Sequence, residues 1–193
     1  MHVERLEGLG SHSIFQPLMY QVATAGLEPD SIAYPLRKTL KHKKRTHIRM
    51  AEILSVDTVK NVVQTNIGSI SYDHLVIATG AKTNYFGNEN IAKYAMPMKS
   101  LSESLDLRSY ILRQFENALN ENDQEEKDSM MNFVIVGGGP TGVELAGALS
   151  ELKTHILPKD FPDLDIRRMQ IHVIEAGQKL LGGMSEKAAQ NAF

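Results

Sequence analysis

Residues 132–147 read NFVIVGGGPTGVELAG. Four apolar residues (Phe133, Val134, Ile135 and Val136) run straight into Gly137-x-Gly139-x-x-Gly142, and a helix-forming stretch follows. Strand, glycine turn and helix in that order are the fingerprint of a dinucleotide site. Gly137 permits a tight turn, Gly139 lets the backbone approach a pyrophosphate, and Gly142 lets the helix lie close on the strand. The ligand's negative charge then sits at the positive N-terminal end of the helix.

The flanks strengthen this reading. Val143, Leu145, Ala146, Ala148, Leu149 and Leu152 make a helix of small and apolar residues suited to packing on a sheet. A second strand, residues 170–174, ends at Glu175, whose carboxylate can accept the two ribose hydroxyls of NAD and would repel the extra phosphate of NADP. Glu175 lies 38 residues beyond Gly137, where roughly 20 is usual. Residues 153–168, with Pro158 and Pro162, account for the excess as an extended helix end and a surface loop. A P-loop is excluded, because Val143 follows Gly142 where Lys and Ser/Thr would be needed. An ordinary strand-to-helix turn and a methyltransferase glycine loop remain open at this level.

Bulk composition sets the outer limits. The chain has 193 residues, 42% hydrophobic and 23% charged, with a formal net charge of −2, which describes a globular protein with no general attraction to nucleic acid. No apolar run approaches the ~20 residues needed to cross a bilayer, and residues 1–10 hold no apolar signal region. Zero cysteine removes thiolate nucleophiles and cysteine-held metals, and is consistent with a reducing compartment. Seven histidines include no HExxH pair. The basic run at 37–45 reads as a solvated face, with contact to an anionic lipid surface as the sharper alternative.

Elsewhere the pattern predicts an apolar stretch at 14–23, a turn at Gly26, and a helix starting near Asp30 or Ser31. Period-two alternation over 48–79 predicts an antiparallel meander whose last strand, 74–78, is fully apolar and enters a buried sheet. Ser100 and Glu103 form a capping box that opens a helix with Leu101, Leu105, Leu112, Phe115 and Leu119 on one side. Residues 120–129 read as an acidic linker or helix end, and a last helix spans 185–193. Only two strands of a doubly wound sheet are in view, so the sequence is expected to be an internal portion of something longer.

Four segments together resemble the type II NADH dehydrogenases, the single-subunit, non-proton-pumping NADH:quinone oxidoreductases: FQPLMYQVATAG (15–26), YDHLVIATGAKTNYFG (72–87), YAMPMKSLSESLDLR (94–108) and FVIVGGGPTGVELAGALSEL (133–152). The resemblance implies an α/β fold, a partial two-dinucleotide-binding (Rossmann-like) flavoprotein with an antiparallel β-meander. Residues 1–92 would be part of an FAD-binding domain with the meander, and 93–193 part of an NADH-binding domain.

It also implies FAD and NADH as cofactors. Ala78, Thr79 and Gly80 match the family's ATG motif beside FAD. Gly137, Gly139, Pro140, Thr141 and Gly142 match the NADH pyrophosphate loop, and Glu175 the ribose acid. Glu144 matches an acidic position near the meeting of nicotinamide and flavin, where it would be the visible proton donor for quinone reduction; the alternative is that it only caps the helix's first turn. Residues 17–26 resemble the strip under the flavin ring, and 51–53 a meander strand touching the adenine. The family's first strand, N-terminal glycine motif and FAD-ribose acid are not found before Ser13.

The implied reaction passes hydride from NADH to flavin and two electrons on to a quinone, in a protein peripheral on the inner face of the cell membrane, attached through a segment outside this sequence, with a homodimer as the candidate assembly. A flavin-dependent disulfide reductase and a non-catalytic NAD-binding redox sensor are the rival readings.

Overall fold

A computed structural model describes residues 3–7 and 12–190. It divides into two compact units, one formed by Met1–Phe15 with Asp30–Lys82 and the other by Gln16–Pro29 with Thr83–Phe193. In chain order the strands are β1 (Val3–Glu7), β2 (His12–Ile14), β3 (Ala33–Pro35), β4 (Thr46–Met50), β5 (Ile53–Asp57), β6 (Val62–Thr65), β7 (Gly68–Ser71), β8 (Asn132–Val136) and β9 (Gln170–Ile174). The helices are α1 (Met19–Ala23), α2 (Leu36–Leu40), α3 (Glu89–Tyr94), α4 (Leu101–Asn120), α5 (Gln124–Met130), α6 (Pro140–Glu151), α7 (Leu157–Asp160) and α8 (Glu186–Gln190).

In the first unit the meander is β5-β6-β7, antiparallel throughout. Its first turn is held by Asp57, whose side chain accepts from the amides of Val59 and Lys60 at 3.0 and 2.9 Å, an Asx turn. Gly68 at φ +125° starts the last strand, in a region closed to other residues. The alternation read over 48–79 spans two different sheets. β4 pairs in parallel with β1, from Val3↔Thr46 to Glu7↔Met50, and is no part of the meander. Ile32, Leu36, Ile48, Ala51 and Val63 are buried here.

Two expectations fail in this unit. The helix expected from Asp30 is a 3-10 turn (Pro29–Ser31) followed by β3, and α2 begins only at Leu36. Residues 74–78 form no strand and are exposed, with Val76 at 86% and Ile77 at 71%. Apolarity favours burial, but a strand exists only where a neighbour supplies ladder hydrogen bonds, and among the described residues none pairs with this stretch.

The second unit is built on β8 and β9, parallel from Asn132↔Gln170 to Val136↔Ile174. The capping box at α4 is present in both directions: Ser100 Oγ accepts from the Glu103 amide at 3.3 Å, and Glu103 accepts from the Ser100 amide at 2.8 Å. The buried face of α4 is Ser104, Ile111, Phe115 and Ala118, while Leu119 is exposed. That face differs from the predicted leucine side, because Ser104 can be buried once its hydroxyl donates to the Ser100 carbonyl at 3.1 Å. Phe115 packs on Phe133 and Phe161, with ring centroids 5.8 and 5.5 Å away.

The acidic stretch at 120–129 holds a real helix, α5, capped by Asp123, which accepts from the amides of Glu125 and Glu126, both at 3.0 Å. The insertion is likewise more than a surface loop: Leu157, Phe161, Leu164 and Ile166 belong to the core. Its first turn, Leu152–Ile156, is π-helical. The wider turn sets Leu152 and Leu157, five residues apart, both inward. Lys153 Nζ donates to the Met169 carbonyl at 2.6 Å, and Arg168 grips Asp128 through both guanidinium arms; together they anchor the far end of the insertion just before β9. The terminal helix α8 covers Glu186–Gln190 of the expected 185–193, and residues 191–193 lie outside the described ones.

Candidate functional site

The glycine turn sits at the carboxyl end of the β8-β9 pair. Gly137 has φ +111° and donates to the Ile174 carbonyl at 2.8 Å, so the turn is stitched across both strands in a conformation that needs glycine. At Gly142 an added Cβ would overlap the Gly137 carbonyl oxygen and press on Ile135 at 3.3 Å; this glycine is required by the protein's own packing. Gly139 is different, since a Cβ there would meet nothing within 4 Å. Gly139 is also the N-cap of α6, Pro140 stands in its first turn, and no side chain caps this end. A helix start with open space at the cap and backbone N–H groups unclaimed by side chains is the form an anion site takes.

Glu175 closes the other side. One carboxylate oxygen accepts from the Gly138 amide at 2.6 Å and the other from the Gly177 amide at 2.8 Å. The amides of Gly177 and Gly138 hold its carboxyl below the usual range, with Ala176 adding to the effect. Glu175 therefore stays charged at the edge of the turn. The turn is tied further by the Leu181 amide donating to the Gly138 carbonyl at 2.7 Å. Gly138 is buried, and an added Cβ there would strike the Leu180 side chain. Gly138 and the segment 177–181 were not read from the sequence. The middle glycine of the run was the available signal, but Leu180 and Leu181 carried none.

Glu144 is exposed, one turn into α6, and makes no capping bond. It faces a cleft of about 360 Å³ lined by Tyr20, Gln21, Thr24 and Gly26 from one side and by Glu144, Gly147, Ala148 and Glu151 from the other. The cleft exists because α1 packs against α4 and α6 through buried Met19, Val22 and Ala23. Small residues at Gly147 and Ala148 leave its floor open. The strip 17–26 and Glu144, two readings that were far apart in sequence, thus share one cavity.

The remaining predicted residues belong to the first unit. Ala78, Thr79 and Gly80 lie in an exposed, unpaired stretch, with Gly80 at φ +75° and no atom within 4 Å of where its Cβ would be. Glu52 has its amide and carbonyl both taken by Asn66, at 2.9 and 3.1 Å, and Ile53 pairs with Thr65 in the meander, so most of 51–53 is committed to the sheet. Residues 3–7, where the sequence shows little pattern, form a parallel strand that ends in Glu7.

The sequence pattern of the pyridine nucleotide-disulphide oxidoreductases matches residues 4–192. A type II NADH:quinone oxidoreductase of Mycobacterium tuberculosis is 36% identical over 186 residues, covering 94% of this chain and 40% of that protein. A probable NADH dehydrogenase of Dictyostelium discoideum is 31% identical over 191 residues, covering 95% of this chain and 42% of that protein. The structure of NDH2 from Plasmodium falciparum in complex with NADH superposes with a TM-score of 0.86 at 25% identity, over 98% of this chain and 40% of that one. The likeness read from the four motifs is borne out, and the chain spans about two fifths of the length of these relatives.

Proposed function

Because the chain belongs to the pyridine nucleotide-disulphide oxidoreductase family, we propose that it forms the nicotinamide-nucleotide side and part of the flavin side of an FAD-dependent type II NADH:quinone oxidoreductase. The observation that carries this reading is the glycine turn: an uncapped helix start, open space at Gly139, and a charged Glu175 fixed to the Gly138 amide. These features fit a dinucleotide with an unmodified adenosine ribose. The diphosphate would sit against Gly139, Thr141 and Gly142, with Pro140 pre-setting the helix start. The ribose hydroxyls would donate to Glu175, and a 2′-phosphate would meet its charge.

On the flavin side, Ala78, Thr79 and Gly80 expose backbone that can approach FAD. We assign residues 1–92 to the FAD-binding portion and 93–193 to the NADH-binding portion, with the strip 16–29 packed into the latter unit. The cofactors, when bound, supply hydride and electron transfer; the protein positions them. Glu144, exposed at the cleft with no ion pair among the described residues, would hold or release the proton that quinone reduction requires. The relatives' printed names make a quinone the acceptor we propose. We extend the same proposal to a peripheral protein on the inner face of the cell membrane and to a homodimer. Among the described residues no helix is long and apolar enough to cross a membrane.

The test is a calorimetric titration of the chain with NADH and with NADPH. NADH should bind at least tenfold tighter, and Glu175→Gln should narrow that gap. Equal affinity for the two nucleotides in the unaltered protein would sink the assignment.

A further inference from the structure

Residues 31–51 contain no Asp or Glu, and six cations fall within nine positions: Arg37, Lys38, Lys41, Lys43, Lys44 and Arg45. The rest of the chain carries the remaining 15 Lys/Arg against all 23 Asp/Glu, so the cluster is a positive corner on an otherwise acidic molecule. The fold makes it a surface. Buried Leu36 pins α2 to the first unit, while all six cations are exposed. The chain then turns through 41–45, with the Lys43 amide on the Leu40 carbonyl at 2.9 Å and Arg45 at φ +64°, before entering β4. Among the described residues no carboxylate pairs with Lys38, Lys41, Lys43, Lys44 or Arg45. Within the first unit, large apolar side chains near the cluster in the chain also stand in the open: Tyr34 is 55% exposed just before α2, Met50 53% at the end of β4, and Phe15, whose amide donates to the Ile32 carbonyl just before β3, 55%.

We propose that this corner of the first unit docks on an anionic lipid surface. Six clustered cations lie within the range that holds a protein to acidic headgroups, and exposed aromatic and apolar bodies beside them can enter the headgroup boundary. A polyanion that wraps its partner would meet the acidic remainder of the chain, whereas a flat anionic plane need touch only the corner, and the charge asymmetry orients the approach. This inference rests on charge placement and not on the nucleotide reading, so the two can fail separately.

The experiment is sedimentation of the full chain with vesicles of equal parts phosphatidylglycerol and phosphatidylcholine, against phosphatidylcholine alone, at about 0.1 M salt. Binding should require the anionic lipid and be released at about 1 M salt. K41E/K43E/K44E should weaken it roughly 100-fold, and K41Q/K43Q/K44Q, which removes charge without adding repulsion, should weaken it in the same direction. The matched set K99E/K127E/K159E should leave it unchanged, and NADH affinity should be the same in every variant. Equal binding to neutral vesicles, equal loss in the matched set, release by millimolar inorganic phosphate, or tighter binding to a single-stranded oligonucleotide than to the vesicles would each overturn the proposal.

Discussion

At Gly139 and Gly142 the same amino acid answers to two different demands. Gly142 is closed in by the Gly137 carbonyl and Ile135, whereas Gly139 faces open space. Gly142→Ala should therefore lower the melting temperature, because backbone must move to admit the methyl. Gly139→Ala should melt as the unaltered protein does and yet lose NADH affinity by tenfold or more, read by calorimetry. Glu175 adds a pH dependence. Its folded carboxyl lies below the unfolded value of 4.5 because the amides of Gly177 and Gly138 favour the charged form. The stability this supplies is complete above that value and is lost as pH falls through the folded one. Chemical unfolding between pH 3 and 6 should show a shallower acid loss for Glu175→Gln, and an unchanged slope would refute the bonded carboxylate. The three-glycine spacing and the acid were legible in the sequence, since each is a local requirement. The Leu181 clamp on Gly138 was not, because nothing in a leucine announces that its amide will be used.

At the level of elements, Phe115 joins three parts of the second unit. It is fully buried on α4, against Phe133 of β8 and Phe161 just past α7. Phe115→Ala should destabilise by about 3–5 kcal/mol in denaturant unfolding, with the glycine turn weakened as well, because β8 carries it. The helix was evident from its capping box, but its inner face was misjudged. A leucine count favours one side, whereas burial favours Ser104, Ile111 and Ala118; the bonded hydroxyl of Ser104 and the small side chain of Ala118 let neighbours approach. The prolines of 153–168 predict an extended helix end and a surface loop, yet Leu157, Phe161, Leu164 and Ile166 reach the core; punctuation marks where helices stop and not what lies outside.

Across the whole molecule, the two units differ in how completely they bury their apolar residues. The second gathers a continuous core around Phe115, Met131 and Leu149, while Leu75, Val76 and Ile77 of the first stand 37–86% exposed. Such a stretch adds little to the stability of this chain and much to its stickiness. Val76→Ser and Ile77→Ser together should change stability by only about 0.5 kcal/mol while reducing binding of a hydrophobic dye and raising solubility. A large loss of stability would mean that these side chains are buried in solution.

Chemistry confined to a few neighbouring residues was readable from residue order: the glycine turn, the strand-ending acid, the capping box, and the meander's turns all act over one or two bonds' reach, so spacing encodes them. Pairing and burial were not readable, because they depend on which distant segment arrives. That β1 runs parallel to β4, that residues 74–78 gain no ladder among the described residues, and that α1 meets α6 to form the cleft Glu144 lines are outcomes of long-range contacts, and a hydrogen bond or a packed face needs a partner that no local pattern can specify.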